Sequence, residues 1–246
     1  MNSFLLAVQF LTIIPLKIKE VSEKGLANSA AYFPLAGLLI GLLLLGINYF
    51  TSILSLPLLT SNIILVVSLI VITGGMHLDG LADTADAFLS GKSKEEMLLI
   101  MRDSHIGVMG VLSIVSVILL KIGLLVTLSA ALKPIALILM CVLSRWAVVL
   151  VMFLFPYARK DGKAGVFIRG IKKEIVILAL GLACLFAFIA GSFMGLVVLL
   201  IASGCAYSGG KFTSRKIDGI TGDTLGAAIE LTEIVVLSAL VLFNGG

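Results

Sequence analysis

Apolar and polar positions fall into long separate blocks. Seven stretches, roughly 31–55, 57–76, 106–131, 134–156, 174–191, 193–209 and 225–243, are apolar over most of their length. A helix that crosses a membrane needs about 20 such residues. The pattern therefore predicts about seven spanning helices, the fifth to seventh being the shortest. Short linkers join them in pairs, marked by Pro57, Lys133-Pro134 and Gly191-Ser192. Longer polar loops at 17–29, 77–105, 157–173 and 210–224 separate the pairs. Phe4 to Leu16 is apolar but too short to span, and Pro15 interrupts it, so an interfacial or re-entrant helix is expected there. It has neither a basic flank nor a small-residue cleavage site, which argues against a cleaved signal peptide.

Composition supports the same class. The chain is 60% hydrophobic and 13% charged, against about 45–50% and about 25% for a soluble domain. The bilayer must be the solvent for most of this surface. We expect an all-α polytopic bundle in which 1–246 is one membrane-embedded catalytic domain. Cys141, Cys184 and Cys205 lie in apolar stretches without metal-ligand spacing and are expected to be packing residues.

Charge then orients the bundle. The four polar loops carry Lys17, Lys19, Lys24, Lys92, Lys94, Arg102, Arg159, Lys160, Lys163, Arg169, Lys172, Lys173, Lys211, Arg215 and Lys216. Alternation of seven spans puts all four on one face, while the opposite linkers carry only Lys133. Positively charged loops stay in the cytoplasm. The expected location is the cytoplasmic (inner) membrane, with the N-terminus inside, the C-terminus outside and the site facing the cytoplasm.

The acids are gathered as well. In the stretch His77 to Phe88, Asp79, Asp83 and Asp86 stand at i, i+4 and i+7. On a helix they share one face. Three adjacent anions repel one another unless a cation neutralises them, and oxygen-only ligands suit Mg²⁺, which takes one or two carboxylates plus substrate phosphates. A solvated cytoplasmic face is the alternative. Lys94 to Met101 predicts a short surface helix. Asp103, at the entrance to the third span, is either a further carboxylate or a helix N-cap. His77 and His105 have no partners at zinc spacing.

The loop 210–224 combines Lys211, Arg215 and Lys216 with glycines, and opens the last span. Glycines let backbone N–H groups approach an anion, and helix N-termini favour phosphate. Lys211, Arg215, Thr221, Gly222 and Thr224 are thus phosphate-binding candidates, Arg102 of the 77–105 loop is available for remaining phosphate charge, and Asp223 invites a metal or a substrate hydroxyl. Arg145, Glu230 and Glu233 fall inside spans, where charge defaults to function. Arg145 joins the phosphate candidates, a structural Arg–Glu pair being the alternative. Lys121 is expected to snorkel towards the outer face.

The blocks HLDGLADTADAF, MRDSHIGVMGV and ITGDTLGAAIELTE, with AVQFLTIIPLKI, YFPLAGLLIG, LSRWAVVL and YARKDGKAGVF, resemble the cobalamin synthase (adenosylcobinamide-GDP ribazoletransferase) family along the whole chain. Ala87, His105 and Asp218-Gly219 depart from its pattern. The resemblance implies the last joining step of cobamide assembly. A ribazole or its 5′-phosphate attacks adenosylcobinamide-GDP and GMP leaves, with Mg²⁺ as cofactor. The metal ligands would be Asp79, Asp83, Asp86 and Asp223. An unoccupied carboxylate, Asp86 or Asp103, would be the base that takes the ribose proton. Asp218 is a weak catalytic candidate. Substrates and the lipid bilayer are the expected partners, nucleic acid is not, and oligomeric state, a homo-oligomer included, is left open.

Two other readings compete. A CDP-alcohol phosphotransferase also uses an aspartate cluster, but its D-x2-D-G-x2-A-R order is not the order here. A transporter would place its ionisable groups at the midplane, whereas most acids here are in loops.

Overall fold

The computed structural model describes residues 2–16, 22–159 and 161–244. Lys17, Lys19 and Lys160 of the charge pattern lie outside the described residues, as does the Lys163 side chain. The chain is helical throughout: α1 (Asn2–Leu11), α2 (Glu23–Ser29), a 3₁₀ turn (Ala30–Tyr32), α3 (Phe33–Ile53), α4 (Leu58–Thr73), α5 (Met76–Phe88), α6 (Lys94–Ile100), α7 (Val108–Thr127), α8 (Leu132–Leu154), α9 (Lys163–Gly170), α10 (Lys173–Ile217) and α11 (Gly222–Asn244). Among the described residues the only extended pairing is one isolated bridge, Tyr157 to Ile220.

Five helical stretches are long and apolar enough to cross a membrane, and a sixth if the bent pair α4–α5 counts as one. The expected second span is therefore revised. Its helix α4 has 16 residues, about 24 Å of rise. The chain then turns 89° into α5 through Gly74 and Gly75, both at positive φ, a conformation that costs glycine little. The expected fifth and sixth spans form one element, α10, which is broken at Ser192 (φ 51°, ψ −137°). The Ala187 carbonyl lies against Gly195, leaving no room there for a Cβ, and the Phe188 and Phe193 rings are 6.0 Å apart. A straight helix would separate positions 187 and 195 by about 12 Å. The chain therefore doubles back at the Gly191-Ser192 linker, and 173–191 and 193–217 are two limbs of a hairpin.

Helix α8 runs through the centre, packed by α3, α10 and α11. Its Ala136, Leu137, Leu139, Val142, Leu143 and Ala147 have no exposed surface. Gly37 and Gly41 bring α3 against the α8 backbone at Cys141 and Ile138, the small-residue contact that lets membrane helices pack without a hydrophobic driving force. Large apolar side chains such as Leu119, Ile189 and Leu200 face outwards and suit lipid. Cys141 is fully buried, as expected of a packing residue, but Cys205 is exposed on the outside of α10. The N-terminal helix ends at Leu11, short of the expected Leu16. Beyond it the Ile13 N–H donates to the Ile72 carbonyl (2.9 Å), which ties the segment to the end of α4.

All four polar segments meet at one end of the bundle. Ala27 of α2 touches Gly170 of α9. The Ala158 N–H donates to the Ile220 carbonyl and the Ile220 N–H to Pro156 (2.9 and 2.8 Å). Lys94 pairs with Asp218. One-sidedness of the loops was legible from charge; their mutual contact is a property of the fold.

Candidate active site

The acidic stripe is helical, as its spacing predicts, and α5 lies across the first turns of α11. The approach is close enough that Gly80 sits on the Asp223 backbone, where a Cβ would come 2.7 Å from the Asp223 carbonyl. Asp79, Asp83 and Asp223 consequently share one rim. Neither Asp79 nor Asp83 has a hydrogen-bond or ion-pair partner among the described residues. Burial, together with the charges of Asp79, Asp223 and Asp86, pushes the half-buried Asp83 carboxyl up to about 6. This is the signature of negative charge that the protein leaves unbalanced.

Asp86 behaves differently. Its two oxygens accept the backbone N–H groups of Gly107 (2.7 Å) and Gly110 (2.8 Å), and Gly107 is the N-cap of α7. Both glycines stand so close to the carboxylate that a Cβ on either would collide with it. The expectation of an unoccupied Asp86 is corrected: it satisfies open donors at a helix N-terminus and complements the dipole there. Of the two readings of Asp103, the N-cap one is corrected. It is not the N-cap of α7, and it stands exposed, accepting from its neighbour His105 at the backbone (3.0 Å) and ring (2.6 Å). Asp218 pairs with Lys94 instead of joining the rim.

The basic candidates divide likewise. The 210–224 segment is not a flexible loop, because α10 runs on to Ile217. Lys211 stands over the Tyr207 ring (5.9 Å) and Arg215 is exposed. Thr221 and Thr224 are buried and cap α11 reciprocally: the Thr221 N–H donates to Thr224 Oγ1 (2.9 Å) and the Thr224 N–H to Thr221 Oγ1 (3.2 Å). They fix the helix entrance, leaving Gly222 exposed beside the rim. Arg102 is exposed at the same end. Among the described residues, a cation that does reach the rim is Arg159, which sequence reasoning counted only as topology. Its Nη2 donates to Asp223 Oδ2 (2.8 Å) and its Nε has no partner. The signal that could have found it was its place in the YARKDGKAGVF block.

Arg145 does not reach the rim. It is fully buried, donating to Glu233 Oε1 and to Ser144 Oγ. Lys121 bonds both Glu230 and Glu233 and is 3% exposed, so it does not snorkel. Two cations and two anions thus form a neutral buried network about 12–17 Å below the start of α11, by helical rise to Glu230 and Glu233. The structural-pair alternative describes Arg145.

Fold and site together define an all-α polytopic membrane protein whose ionisable rim lies at one end of its bundle. The chain belongs to the cobalamin-5-phosphate synthase family, whose pattern matches residues 3–241. It is similar to proteins named adenosylcobinamide-GDP ribazoletransferase from Desulforamulus reducens (38% identical over 98% of this chain and 96% of the relative), Clostridium novyi (38% over 100% and 98%) and Pseudomonas fluorescens (34% over 99% and 100%). No solved structure matches. Neither the phospholipid-synthase nor the transporter reading finds support in these likenesses.

Proposed function

We propose that this chain joins a ribazole, or its 5′-phosphate, to the cobinamide phosphate of adenosylcobinamide-GDP, releasing GMP. The family membership supports the reaction class, and the observation that carries the site is the partnerless pair Asp79 and Asp83 facing Asp223 across one rim.

Among the described residues no three His, Cys, Asp or Glu side chains are drawn together tightly enough to hold a metal ion by themselves. An all-protein cage is therefore absent, but the donor set suits Mg²⁺, which completes its shell with water and substrate phosphate. Asp79, Asp83 and Asp223 would hold it; Asp86, occupied by two N–H groups, would not. Bound there, Mg²⁺ supplies charge neutralisation for the pyrophosphate and the departing GMP.

The protein's own groups do the rest. Arg159, held by Asp223 with Nε spare, supports phosphate charge as a planar donor. The backbone at exposed Gly222 lets a phosphate approach the α11 entrance. The ribose 3′-hydroxyl oxygen attacks the phosphorus that carries cobinamide, the bond from that phosphorus to the GMP oxygen breaks, and the hydroxyl proton passes to whichever of Asp79 and Asp83 the ion does not engage, since Mg²⁺ takes only one or two carboxylates. Positioning and electrostatics dominate such a transfer, and the displacement is direct and in line. The charge bias of the loops and their gathering at one end support a cytoplasmic site in the inner membrane.

The test uses purified protein in nanodiscs with adenosylcobinamide-GDP and ribazole. GMP release that needs Mg²⁺ is expected. No release at any metal concentration would overturn the reading.

A further inference from the structure

Beneath the acidic rim the bundle holds a cavity of about 210 Å³, with Asp79 and Asp223 at its mouth. Its walls are largely apolar. Phe10 comes from α1, Phe33 from α3, Val148 from α8 and Phe167 from α9. The three phenylalanine rings form a contiguous cluster, with centroids 4.6 to 5.9 Å apart. His77 also borders the cavity. It is 3% exposed, and its Nε2 has no hydrogen-bond partner among the described residues. A buried polar atom of this kind usually has a partner.

These features select among the parts of the two substrates. A phosphate would find no lysine or arginine among the largely apolar walls below the rim. A corrin macrocycle is too large, since even drug-sized ligands occupy roughly 300–1,000 Å³. Guanine is small enough, but its edge presents several donors and acceptors, which phenylalanine and valine would leave unpaired. A benzimidazole-type base is a flat, apolar bicycle with one free ring nitrogen. It fits aromatic walls, which favour stacked or edge-to-face neighbours, and one polar contact suffices for it.

We propose that this cavity is the base subsite for the acceptor nucleoside. The bicyclic base packs among Phe10, Phe33 and Phe167 with its free nitrogen towards His77, and this holds the ribose at the Asp79–Asp223 mouth. The inference rests on the ribazole-transfer reading and adds to it the part of the substrate that sets acceptor specificity.

The test measures KM for each substrate separately, and binding of free 5,6-dimethylbenzimidazole by its fluorescence, in nanodiscs. Val148→Phe fills the cavity. It is expected to raise KM for ribazole at least tenfold, leave KM for adenosylcobinamide-GDP within twofold, and abolish binding of the free base. Ala164→Leu narrows the cavity from the short helix α9, at a half-buried position, and is expected to act in the same direction if Val148→Phe fails to fold. Equal changes in both KM values, or none in the ribazole KM, would overturn the assignment. So would failure of the free base to bind wild type while native mass spectrometry finds a lipid chain retained and lost in Val148→Phe. If wild type releases no GMP, the transfer reading falls, yet binding of the free base that Val148→Phe removes would still support the cavity.

Discussion

Asp86 offers the sharpest separation between a positioning carboxylate and a reacting one. Asp86→Ala removes two charge-assisted hydrogen bonds of 2.7 and 2.8 Å to Gly107 and Gly110. Such bonds contribute about 1.5–3 kcal/mol each, and an anion at a helix N-terminus adds about 0.3–1 kcal/mol. Asp86 is only half-buried, so water will recover part of this, and a net loss of about 2–4 kcal/mol is expected. Asp86→Asn keeps one acceptor but turns an amide donor towards an N–H group, so about half that loss is expected. Gly110→Ala attacks the same contact from the other side, because its Cβ would meet the Asp86 carboxylate. The assay is unfolding in mixed detergent micelles alongside Mg²⁺-saturated GMP release. All three variants should lower the unfolding midpoint, and Asp86→Asn should keep kcat within about tenfold of wild type, since losing a general base costs about 10²–10⁴. A hundredfold fall in kcat for Asp86→Asn with an unchanged midpoint would refute the reasoning and return Asp86 to the chemistry.

Asp83→Asn removes a partnerless rim carboxylate without changing its volume, so stability should hold while Mg²⁺-dependent GMP release falls at least a hundredfold; wild-type activity at limiting Mg²⁺ would contradict its role. In the buried network, Lys121→Met leaves Glu230 and Glu233 with one cation between them and should cost about 3–5 kcal/mol, as broken buried pairs do. Adding Glu230→Leu should recover part of that cost, measured as the coupling in a double-mutant cycle. For orientation, with native cysteines replaced, Lys92→Cys should resist an impermeant thiol reagent in intact cells, and Ala130→Cys, exposed at the other end, should react; Lys133, 6% exposed, is a poorer reporter. Labelling of position 92 from outside would reverse the topology.

Much of this architecture is written locally. Spanning helices are legible because about 20 apolar residues in a row have no other stable home, and the one-sided loops are legible because charge follows topology. The i, i+4, i+7 spacing of Asp79, Asp83 and Asp86 fixed a shared helical face before any packing was known. Even the turn at Gly191-Ser192 was visible as a break between two apolar runs. What the sequence could not assign was which partner each charge would meet. Asp86 and Asp83 share one helix face and the same chemistry, yet α7 begins against one and only the open rim faces the other. Arg145 and Arg159 are both plausible phosphate ligands by type. The packing of α11 against both α8 and α7 closes the first into a neutral network with Glu233 and Lys121, and the short bridge from Tyr157 to Ile220 swings the second onto Asp223. Those assignments depend on contacts between residues 21 to 112 positions apart, where one-dimensional spacing carries no information. Only the docking of helices in three dimensions decides which carboxylates are left free to react.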